Sequence, residues 1–390
     1  MERVLVRKVD DLSAAVAEAL DFLEYDFNGK RVWVKPNLLS PHAPEDSVTT
    51  DPELIRHVVR ALKAREAKDV WVADNPGGGL QRNISSYIAP TGAVEASEGC
   101  FRGIAQTPAK LATNSRFLRE FTVSRIAVEA DVLLNLPVFK THALTILTGA
   151  IKNLFGVVPG GQKSYLHTLA RSGNDFGELL VDLYQTVPIP VLTIMDALRG
   201  MDGQNGPSGG RVLSIGKILA SFNPVALDAV MAAMAGAEPR SIPTTRIAAE
   251  RGLGPCRLEH IEIAGDYAPI AGFRLPSARM AAGITGAAAA MFYPLVQRRP
   301  LLNRRLCIRC GRCAENCPAK AISLRPSTKD EVRGSKSGDR SSAFGIRSLS
   351  FPVIDRRKCL SCYCCAELCP EMALTVPGPL RGLLQRITGR

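Results

Sequence analysis

Two short cysteine runs near the carboxyl end constrain this chain more than any other feature. They hold nine of its eleven cysteines and read CIRCGRCAENCP, from Cys307 to Pro318, and CLSCYCCAELCP, from Cys359 to Pro370. Each contains four cysteines spaced C-x2-C-x2-C-x3-C, with a proline directly after the fourth. The first residues of the chain show no apolar signal segment, and clustered cysteines in such a chain bind metal rather than form disulfides. We therefore expect this part of the chain to fold around metal.

The spacing is that of bacterial ferredoxins with two clusters, in which the fourth cysteine of each run ligates the other cluster. We therefore expect two 4Fe–4S clusters as cofactors, and a helix that begins at the fourth cysteine of each run. One cluster would be held by Cys307, Cys310, Cys313 and Cys369, and the other by Cys359, Cys362, Cys365 and Cys317. A pair of zinc sites is the alternative, but zinc sites do not require this cysteine spacing twice in one chain.

One cysteine and one segment of this region stand apart from the pattern. Cys364 is an extra cysteine inside the second run, either a small buried residue or one with a redox or partner role. Residues 325–350 are rich in Ser, Gly and charge, which predicts a mobile loop inserted between the runs.

The chain's net charge of +12 lies entirely after Gln297, because basic and acidic residues balance before it. Clusters with thiolate ligands are negative and would offset part of this excess. The remaining positive charge predicts a surface that binds an acidic partner. The clusters suggest that this partner is a redox protein. We expect no nucleic-acid binding, because the basic region lacks interleaved aromatic residues. Contact of the basic tail, residues 377–390, with a membrane surface is the weaker alternative.

The most apolar stretch, Met280–Val296, is at the short limit for a bilayer span and is broken by Pro294. We expect a packed helix or a linker there. Together with the missing signal segment, this predicts a cytoplasmic protein.

The first 278 residues alternate short apolar runs with helical patterns. This predicts an α/β fold, a mostly parallel sheet with helices on both faces. The predicted strands are 31–34, 69–73, 131–136, 191–195, 217–221 and 261–264, and the predicted helices include 12–23, 52–64 and 224–235. The predicted organisation is an α/β domain at 1–278, a linker at 279–300, a small α+β bacterial-ferredoxin-like domain at 301–376 and the tail at 377–390.

Polar side chains follow five of the predicted strands. The carboxyl ends of parallel strands meet at one edge of a sheet, where ligands bind in this architecture. We therefore predict a substrate site at that edge. Its strand-end residues are Lys35, Asn37, Asp74, Asp196, Asp202, Asn223 and Asp228, and the fifth strand end leads into Lys140 and His142. Each residue alone would more often be a turn or capping residue. The fingerprints of nicotinamide and P-loop nucleotide sites are missing from the sequence.

The segment KTHALTILTGAIKNLFG, residues 140–156, carries ionisable groups in an apolar setting, which favours a functional site. The spacing of Thr141, Thr145, Thr148 and Lys152 predicts one polar face of a helix. Its cations would favour an anion. The predicted catalytic residues are His142, as a proton donor near neutral pH, with Lys140 and Lys152; Asn153 and Lys163 join the substrate-binding residues.

These motifs resemble those of the domain-of-unknown-function family 362. The resemblance rests on residues 140–142 and 149–156, on the second cysteine run, and on residues 35–37 and 221–228. It covers nearly the whole chain. It implies an iron–sulfur protein whose ferredoxin module has two clusters, and it brings no reaction.

The motifs together predict a ferredoxin-coupled oxidoreductase that acts on an anionic small molecule or cofactor at the sheet edge. The alternative is an electron-transfer or accessory subunit whose α/β domain docks a redox partner.

Overall fold

The computed structural model describes residues 1–77, 83–104, 108–170, 172–276, 299–326 and 350–378. Most of the predicted linker at 279–300, most of the predicted loop at 325–350 and most of the tail at 377–390 lie outside the described residues. The domain boundaries that they would define stay a prediction. None of the described helices is long and apolar enough to cross a bilayer.

The described elements alternate strands and helices along the first 265 residues. The strands are β1 Glu2–Lys8, β2 Arg31–Pro36, β3 Asp69–Val72, β4 Pro108–Ala112, β5 Glu120–Ser124, β6 Val132–Leu136, β7 Val138–His142, β8 Ile146–Leu147, β9 Val191–Asp202, β10 Arg211–Ser221, β11 Ile261–Gly265, β12 Leu301–Leu302, β13 Ile322–Pro326, β14 Ser350–Ile354 and β15 Leu374–Thr375. The helices are α1 Leu12–Phe22, α2 Pro52–Ala64, α3 Ile84–Ile88, α4 Ala93–Ala96, α5 Ile126–Glu129, α6 Gly149–Asn153, α7 Gln162–Leu169, α8 Gly173–Thr186, α9 Pro224–Met234, α10 Pro243–Glu250, α11 Arg312–Glu315 and α12 Cys364–Glu367.

One sheet organises the α/β unit, residues 1–276. Its strand order is β11-β1-β10-β9-β6-β2-β3, with β7 paired to β9 and β8 paired to β7. Strands β9, β6, β2 and β3 run parallel, and so do the pairs β1–β11 and β7–β9. Only β10 and β8 are antiparallel to their neighbours within this sheet. The mostly parallel α/β sheet that the sequence predicts is therefore present.

Helices cover both faces because side chains alternate across each strand. On β2, Val32 and Val34 pack with α1 and α2 in one buried cluster. Trp33, between them, enters the opposite cluster with α8. A third cluster packs α9 against β1, β9 and β10. The carboxyl ends of β2, β3 and β6 are left at one edge of the sheet, where the polar residues collect.

The predicted helix over residues 140–156 is wrong. Residues 140–142 belong to β7, and α6 begins only at Gly149. The hydroxyl of Thr148 donates to the carbonyls of Val138 and Lys140, at 2.9 and 3.1 Å, which holds the chain in a hairpin. Gly149 has a φ of +68°, and Asp228 fills the space that its Cβ would need. The helix therefore cannot extend back through this residue.

The cysteine module, residues 299–326 and 350–378, consists of two strand pairs and two short helices. Strand β12 pairs with β15 and β13 with β14. The helices α11 and α12 each contain the third cysteine of a run and end before the fourth. The expectation that the fourth cysteine begins a helix is therefore wrong, because each run turns into its helix earlier. Left-handed residues occur at matching places in both runs: Arg309 and Ser361, Gly311 and Tyr363, Lys320 and Met372.

The second cysteine run packs against the α/β unit. Tyr363 lies in a small apolar cluster with Ala143 and Val376. Asn205 Oδ1 accepts a hydrogen bond of 2.9 Å from the backbone N–H of Val376. Leu368 lies so close to Gly77 that a Cβ there would stand 2.6 Å from its side chain. The module therefore contacts the edge of the sheet at which the polar residues collect.

Candidate functional site

The structure gathers the eight predicted ligand cysteines into two groups. The thiol of Cys313 faces Cys307, Cys310 and Cys369. The thiol of Cys365 faces a second set, which is Cys359, Cys362 and Cys317. Cys313 also lies near Cys365, where the two groups meet. The fourth cysteine of each run therefore stands with the first three of the other run.

The surroundings of these cysteines fit iron–sulfur ligation. None of the described cysteines forms a disulfide. Backbone N–H groups of Ala321 and Ala373 point at the sulfurs of Cys317 and Cys369, each at 3.2 Å. Burial raises the pKa of Cys313 to about 12, so a cluster would be needed to hold it as a thiolate. Among the described residues no three His, Cys, Asp or Glu side chains are grouped closely enough to hold a single metal ion.

A buried ion pair stands where β2 and β3 end. Lys35 Nζ lies 2.7 Å from Asp74 Oδ1, and both side chains are almost fully buried. The second carboxylate oxygen accepts a 2.8 Å hydrogen bond from the backbone N–H of Leu38. Burial lowers the pKa of Lys35, and Asp74 opposes that shift. Gly156 packs directly on the pair, so a Cβ there would collide with both Asp74 Oδ1 and Lys35 Nζ.

An amide chain next to this pair holds Lys140. Asn37 donates to Asn153 at 2.9 Å, and Asn153 donates to Asn135 at 2.8 Å. Lys140 Nζ donates to Asn37 Oδ1 at 3.1 Å and to the carbonyl of Val48 at 2.5 Å. Burial, and then the charge of nearby Lys152, lower the pKa of Lys140 to about 7. Lys140 is therefore committed to buried acceptors and not free to bind a ligand.

His142 is held as a neutral imidazole. Its Nδ1 accepts hydrogen bonds of 3.1 Å from the backbone N–H groups of Leu144 and Thr145. Nδ1 therefore carries no proton, and the proton lies on Nε2, which stands 3.0 Å from Glu367 Oε1. Burial lowers the pKa of His142 to about 4. The prediction that it donates a proton near neutral pH is wrong, because burial and the two N–H donors disfavour the charged form.

Glu367 reaches this site from α12 of the cysteine module. Burial works to raise its pKa, but His142, Lys152 and His167 outweigh burial and hold the pKa at about 2. Its Oε1 lies 3.0 Å from His142 Nε2, the nitrogen that carries the imidazole proton. The carboxylate is therefore ionised and faces the N–H of a neutral imidazole.

Lys152, Lys163 and His167 are the remaining ionisable residues around Glu367. Lys152, half-buried on α6, donates no hydrogen bond to any residue in the described part of the chain. Burial lowers its pKa, and Glu367 opposes that shift. Lys163 donates to the carbonyl of Asn75, and burial lowers its pKa to about 8. Burial likewise lowers the pKa of His167 to about 4. Lys152 is thus the cation best placed to receive an anion.

Asp228 and Asn223 cap helices instead of facing this group. Asp228 accepts hydrogen bonds from the N–H groups of Ala150 and Ile151 at 2.5 and 3.1 Å, which holds the start of α6. Asn223 caps α9 and also donates to the carbonyl of Leu253. The structure therefore does not bring these two predicted residues into the site.

The two other predicted aspartates are also bound elsewhere. Asp196 accepts from the N–H groups of Asp51 and Leu198 at 2.7 and 3.0 Å, which fixes the start of α2. Burial raises its pKa to about 7. Asp202 is fully buried and forms a 2.6 Å ion pair with Arg211 across the β9–β10 hairpin. Neither contact leaves a carboxylate that faces Lys152.

Two protein-family profiles match the chain. The profile described as "Domain of unknown function (DUF362)" matches residues 32–233, which is more than half of the chain. The chain belongs to the DUF362 family. A profile described as "4Fe-4S dicluster domain" matches residues 306–373. The cysteine module of this DUF362 protein is therefore an iron–sulfur domain of the 4Fe–4S type.

A thylakoid-associated protein of Synechocystis sp. is 34% identical to this DUF362 protein over 235 residues, which are 59% of this chain and 71% of that protein. Among solved structures, the lactate racemase apoprotein from Thermoanaerobacterium thermosaccharolyticum aligns with a TM-score of 0.37 and 14% identity. That alignment covers 56% of this chain and 54% of the other, so the DUF362 protein spans about half the length of that structure.

Sequence reasoning missed Glu367, His167 and Asn135 of this DUF362 protein. Glu367 has the same place in its run as Glu315 in the first, so no local signal separates them. Asn135 is a polar residue inside an apolar strand, which could have marked it as a residue with a buried partner. His167 follows Lys163 by one helical turn, and that spacing was the available signal.

Proposed function

We propose that this DUF362 protein is an iron–sulfur oxidoreductase that exchanges electrons, through two 4Fe–4S clusters, with an anionic small molecule at the sheet edge. The observation that carries the proposal is the 3.0 Å contact between His142 and Glu367. Glu367 stands between two ligand cysteines, Cys365 and Cys369. The contact therefore places a cluster-binding run directly against the cations of the α/β unit.

The two-cluster count rests on the crossed grouping of eight cysteines. Each group supplies four thiols, and each contains one cysteine from the other run, as the two-cluster spacing requires. Bound clusters would supply one-electron transfer. We propose that both groups bind a 4Fe–4S cluster.

The residues of the α/β unit would bind and orient the small molecule. Lys152 has no hydrogen-bond acceptor among the described residues, so an anionic group beside α6 would satisfy it. Lys163, with a pKa of about 8, remains largely charged at neutral pH and adds to the positive field. His142, neutral and fixed through Nδ1, would position Glu367 instead of moving a proton.

An electron-carrier role for the whole chain is the second candidate. The excess of positive charge after Gln297 favours it, because a basic surface attracts an acidic redox partner and accelerates its association. In that case the α/β unit would dock the partner and would bind no small molecule.

One kinetic experiment separates the two candidates. Reconstituted protein is reduced with dithionite, and reoxidation of the clusters is followed by absorbance after addition of 2-oxo acids or nitrite, or of an oxidised flavodoxin. We expect a small anion to reoxidise the clusters, and Lys152→Met to slow this at least about tenfold, since a charged contact would be lost. Lys110→Met, an exposed lysine on β4, is the control. Reoxidation by the protein partner alone would overturn the oxidoreductase proposal and favour the carrier.

A further inference from the structure

A basic turn stands directly before the first cysteine run. Residues 303–306 read NRRL, and all four are exposed. The side-chain oxygen of Asn303 accepts a 3.1 Å hydrogen bond from the backbone N–H of Arg305, which fixes the course of the turn. Two exposed arginines, Arg304 and Arg305, are therefore held close to Cys307, the first predicted cluster ligand of the run.

One aromatic ring connects this turn to the first group of cysteines. The guanidinium of Arg304 lies 5.6 Å from the centroid of the Phe351 ring. Phe351 is only 1% exposed and packs against Cys307 and Cys369, which both belong to the group that surrounds Cys313. A protein that contacts Arg304 would therefore be separated from two predicted cluster ligands by a single ring.

Two exposed leucines also border the first run. Leu306, the last residue of the basic turn, is 39% exposed. Leu324 on β13 is 40% exposed, and its Cδ1 stands 3.6 Å from the position that a Cβ of Gly311 would take. Interfaces between proteins combine an apolar centre with a polar rim. Here the leucines would supply the apolar contacts and the arginines the charged rim.

The positive charge of the cysteine module belongs to the segment of the first run. Residues 299–326 contain seven basic residues and one acidic residue, whereas residues 350–378 contain three of each. Two further segments of the chain are themselves basic. Residues 327–349 contain five basic and three acidic residues, and residues 379–390 contain three basic and no acidic ones. Because like charges repel, the electrostatic complement of this surface is an acidic partner and neither of those segments.

The second run is turned towards the α/β unit instead. Its Tyr363 packs with Ala143 of that unit. The two groups of cysteines meet where Cys313 of the first group packs in one cluster with Cys365 of the second. An electron that arrives at the basic turn would therefore reach the first group of cysteines before the second, and the second stands beside the sheet edge.

We propose that the surface formed by Arg304, Arg305, Leu306 and Leu324 docks an acidic one-electron carrier protein beside the first group of cysteines. The proposal rests on the proposed function for the two clusters and adds the protein that supplies their electrons. In each transfer the carrier protein loses one electron, a cluster bound by the first group gains it, and no bond forms or breaks. The opposite charges of the two proteins accelerate their encounter.

Calorimetry on the reconstituted full chain tests the docking surface. The probes are two oxidised carrier proteins, an acidic flavodoxin and an acidic plant-type 2Fe–2S ferredoxin. We expect at least one of them to bind, with an affinity that falls at least about tenfold between about 50 and 300 mM NaCl, because salt screens the charges that attract the carrier. Failure of both carriers to bind at low salt, or an affinity that salt does not change, would overturn the proposal.

Charge reversal locates the surface. The double variant Arg304→Glu and Arg305→Glu should weaken binding at least about tenfold, because two attractive charges become repulsive. The matched control is Arg356→Glu and Arg357→Glu, which makes the same change of charge in the turn before Cys359 and should retain most of the affinity. An equal loss in both double variants would show that total charge attracts the carrier, and would overturn the assigned surface.

The apolar contact has a test of its own. Leu306→Ser leaves the charge unchanged and should weaken binding severalfold at every salt concentration, since apolar area is lost from the interface. Unchanged affinity in this variant would remove Leu306 from the surface. Cluster absorbance reports whether each variant is intact.

An anionic membrane is the other partner that a basic surface attracts. Vesicles of phosphatidylglycerol and phosphatidylcholine therefore replace the carrier protein in a parallel series. If the chain binds these vesicles, the Arg304→Glu and Arg305→Glu variant abolishes that binding, and neither carrier protein binds, the surface is one for lipid and the proposal is overturned.

The outcome is separable from that of the proposed function. Docking is measured on oxidised proteins, with no electron transfer involved. If a carrier docks at this surface while no small anion reoxidises the clusters, the docking surface stands and the oxidoreductase proposal fails. If small anions reoxidise the clusters while neither carrier docks, the docking surface is wrong and the oxidoreductase proposal stands.

Discussion

Tyr363 occupies in the second cysteine run the position that Gly311 occupies in the first, and both have a left-handed backbone, with φ of +62° and +77°. A residue other than glycine costs about 1 kcal/mol in this conformation. The ring of Tyr363 is buried against Ala143 and Val376. Burial of a side chain of this size contributes about 1.5–3 kcal/mol, which outweighs the strain. The strained tyrosine therefore attaches the cysteine module to the α/β unit.

Replacing Tyr363 with glycine should loosen that attachment. The backbone strain would be relieved, but the larger packing contribution would be lost, so we expect a net cost of about 0.5–2 kcal/mol to the contact. Faster amide hydrogen exchange in α12 and around Ala143 would report it. Gly311→Ala is the control, since its Cβ meets nothing closer than 3.6 Å and tests the backbone strain alone. Unchanged exchange in the tyrosine variant would show that Tyr363 does not hold the module.

Gly156→Ala should destabilise the α/β unit by about 2–3 kcal/mol. The added methyl group would collide with both members of the Lys35–Asp74 pair, and separating a buried pair leaves uncompensated charge. Urea unfolding of the variant measures the loss. Gly161→Ala is the matched control, because nothing lies within 4 Å of its Cβ position, and it should change stability by less than about 0.5 kcal/mol. Equal stability of both variants would contradict the packing described for Gly156.

The crossed grouping of cysteines predicts which variants share a spectrum. Cys369→Ser should lose the same cluster as Cys307→Ser, although the two residues belong to different runs. The electron paramagnetic resonance spectra of these two reduced variants should therefore match. Cys317→Ser should likewise match Cys359→Ser. A spectrum of Cys369→Ser that matches Cys359→Ser would mean that each run binds its own cluster.

Stability should fall as pH decreases from about 6.5 towards 4, in part through His142. Its pKa is about 4 in the folded chain and near 6.5 when unfolded, so the unfolded chain takes up the proton first. The contribution of His142 to the free energy of unfolding is complete above about pH 6.5. At pH 4 it is smaller by about 3 kcal/mol. His167, whose pKa is also about 4, shifts stability in the same direction.

Urea unfolding between about pH 5 and 6.5, where the loss through His142 is under way, measures this slope. His142→Asn keeps an acceptor for the two backbone N–H groups and removes the titrating imidazole. The number of protons taken up on unfolding, which sets the slope of the unfolding free energy with pH, should therefore fall by about one. His260→Asn, at an exposed position, is the control substitution. A slope that His142→Asn does not change would argue against a buried neutral imidazole.

The strands and helices with strong apolar periodicity were predictable. The run from Arg31 to Val34 gave β2 with the right start, because a buried parallel strand reads as a continuous apolar run. Helix α2, from Pro52 to Ala64, was predicted with both its ends, since Asp51 caps it and proline begins it. Strand β7 was missed because Lys140 and His142 made its sequence polar. Their burial depends on acceptors such as Val48 and Glu367, which lie far away in sequence.

The sequence predicted correctly only those residues of the candidate site that lie at the ends of buried strands. Lys35, Asn37 and Asp74 follow buried strands and do meet at the sheet edge. Asn223 follows β10, which runs antiparallel to β9, and Asp202 pairs with Arg211 at the turn end of the β9–β10 hairpin, so neither joins them. Strand order cannot be read from single segments. Glu367 depends on how the cysteine module packs, which no periodicity records.

Strand β1 bears on the order in which the chain can fold during synthesis. Leu5 of β1 pairs with Ala220 of β10, and Arg3 pairs with Glu262 of β11, so both neighbours follow β1 by more than 200 residues. Such distant pairing is slow, and it cannot begin until the ribosome has released those later strands. The cysteine runs leave the ribosome after β11. We therefore expect the central sheet to stay incomplete until β11 has left the ribosome, and the protease resistance of ribosome-bound chains of increasing length would show when it forms.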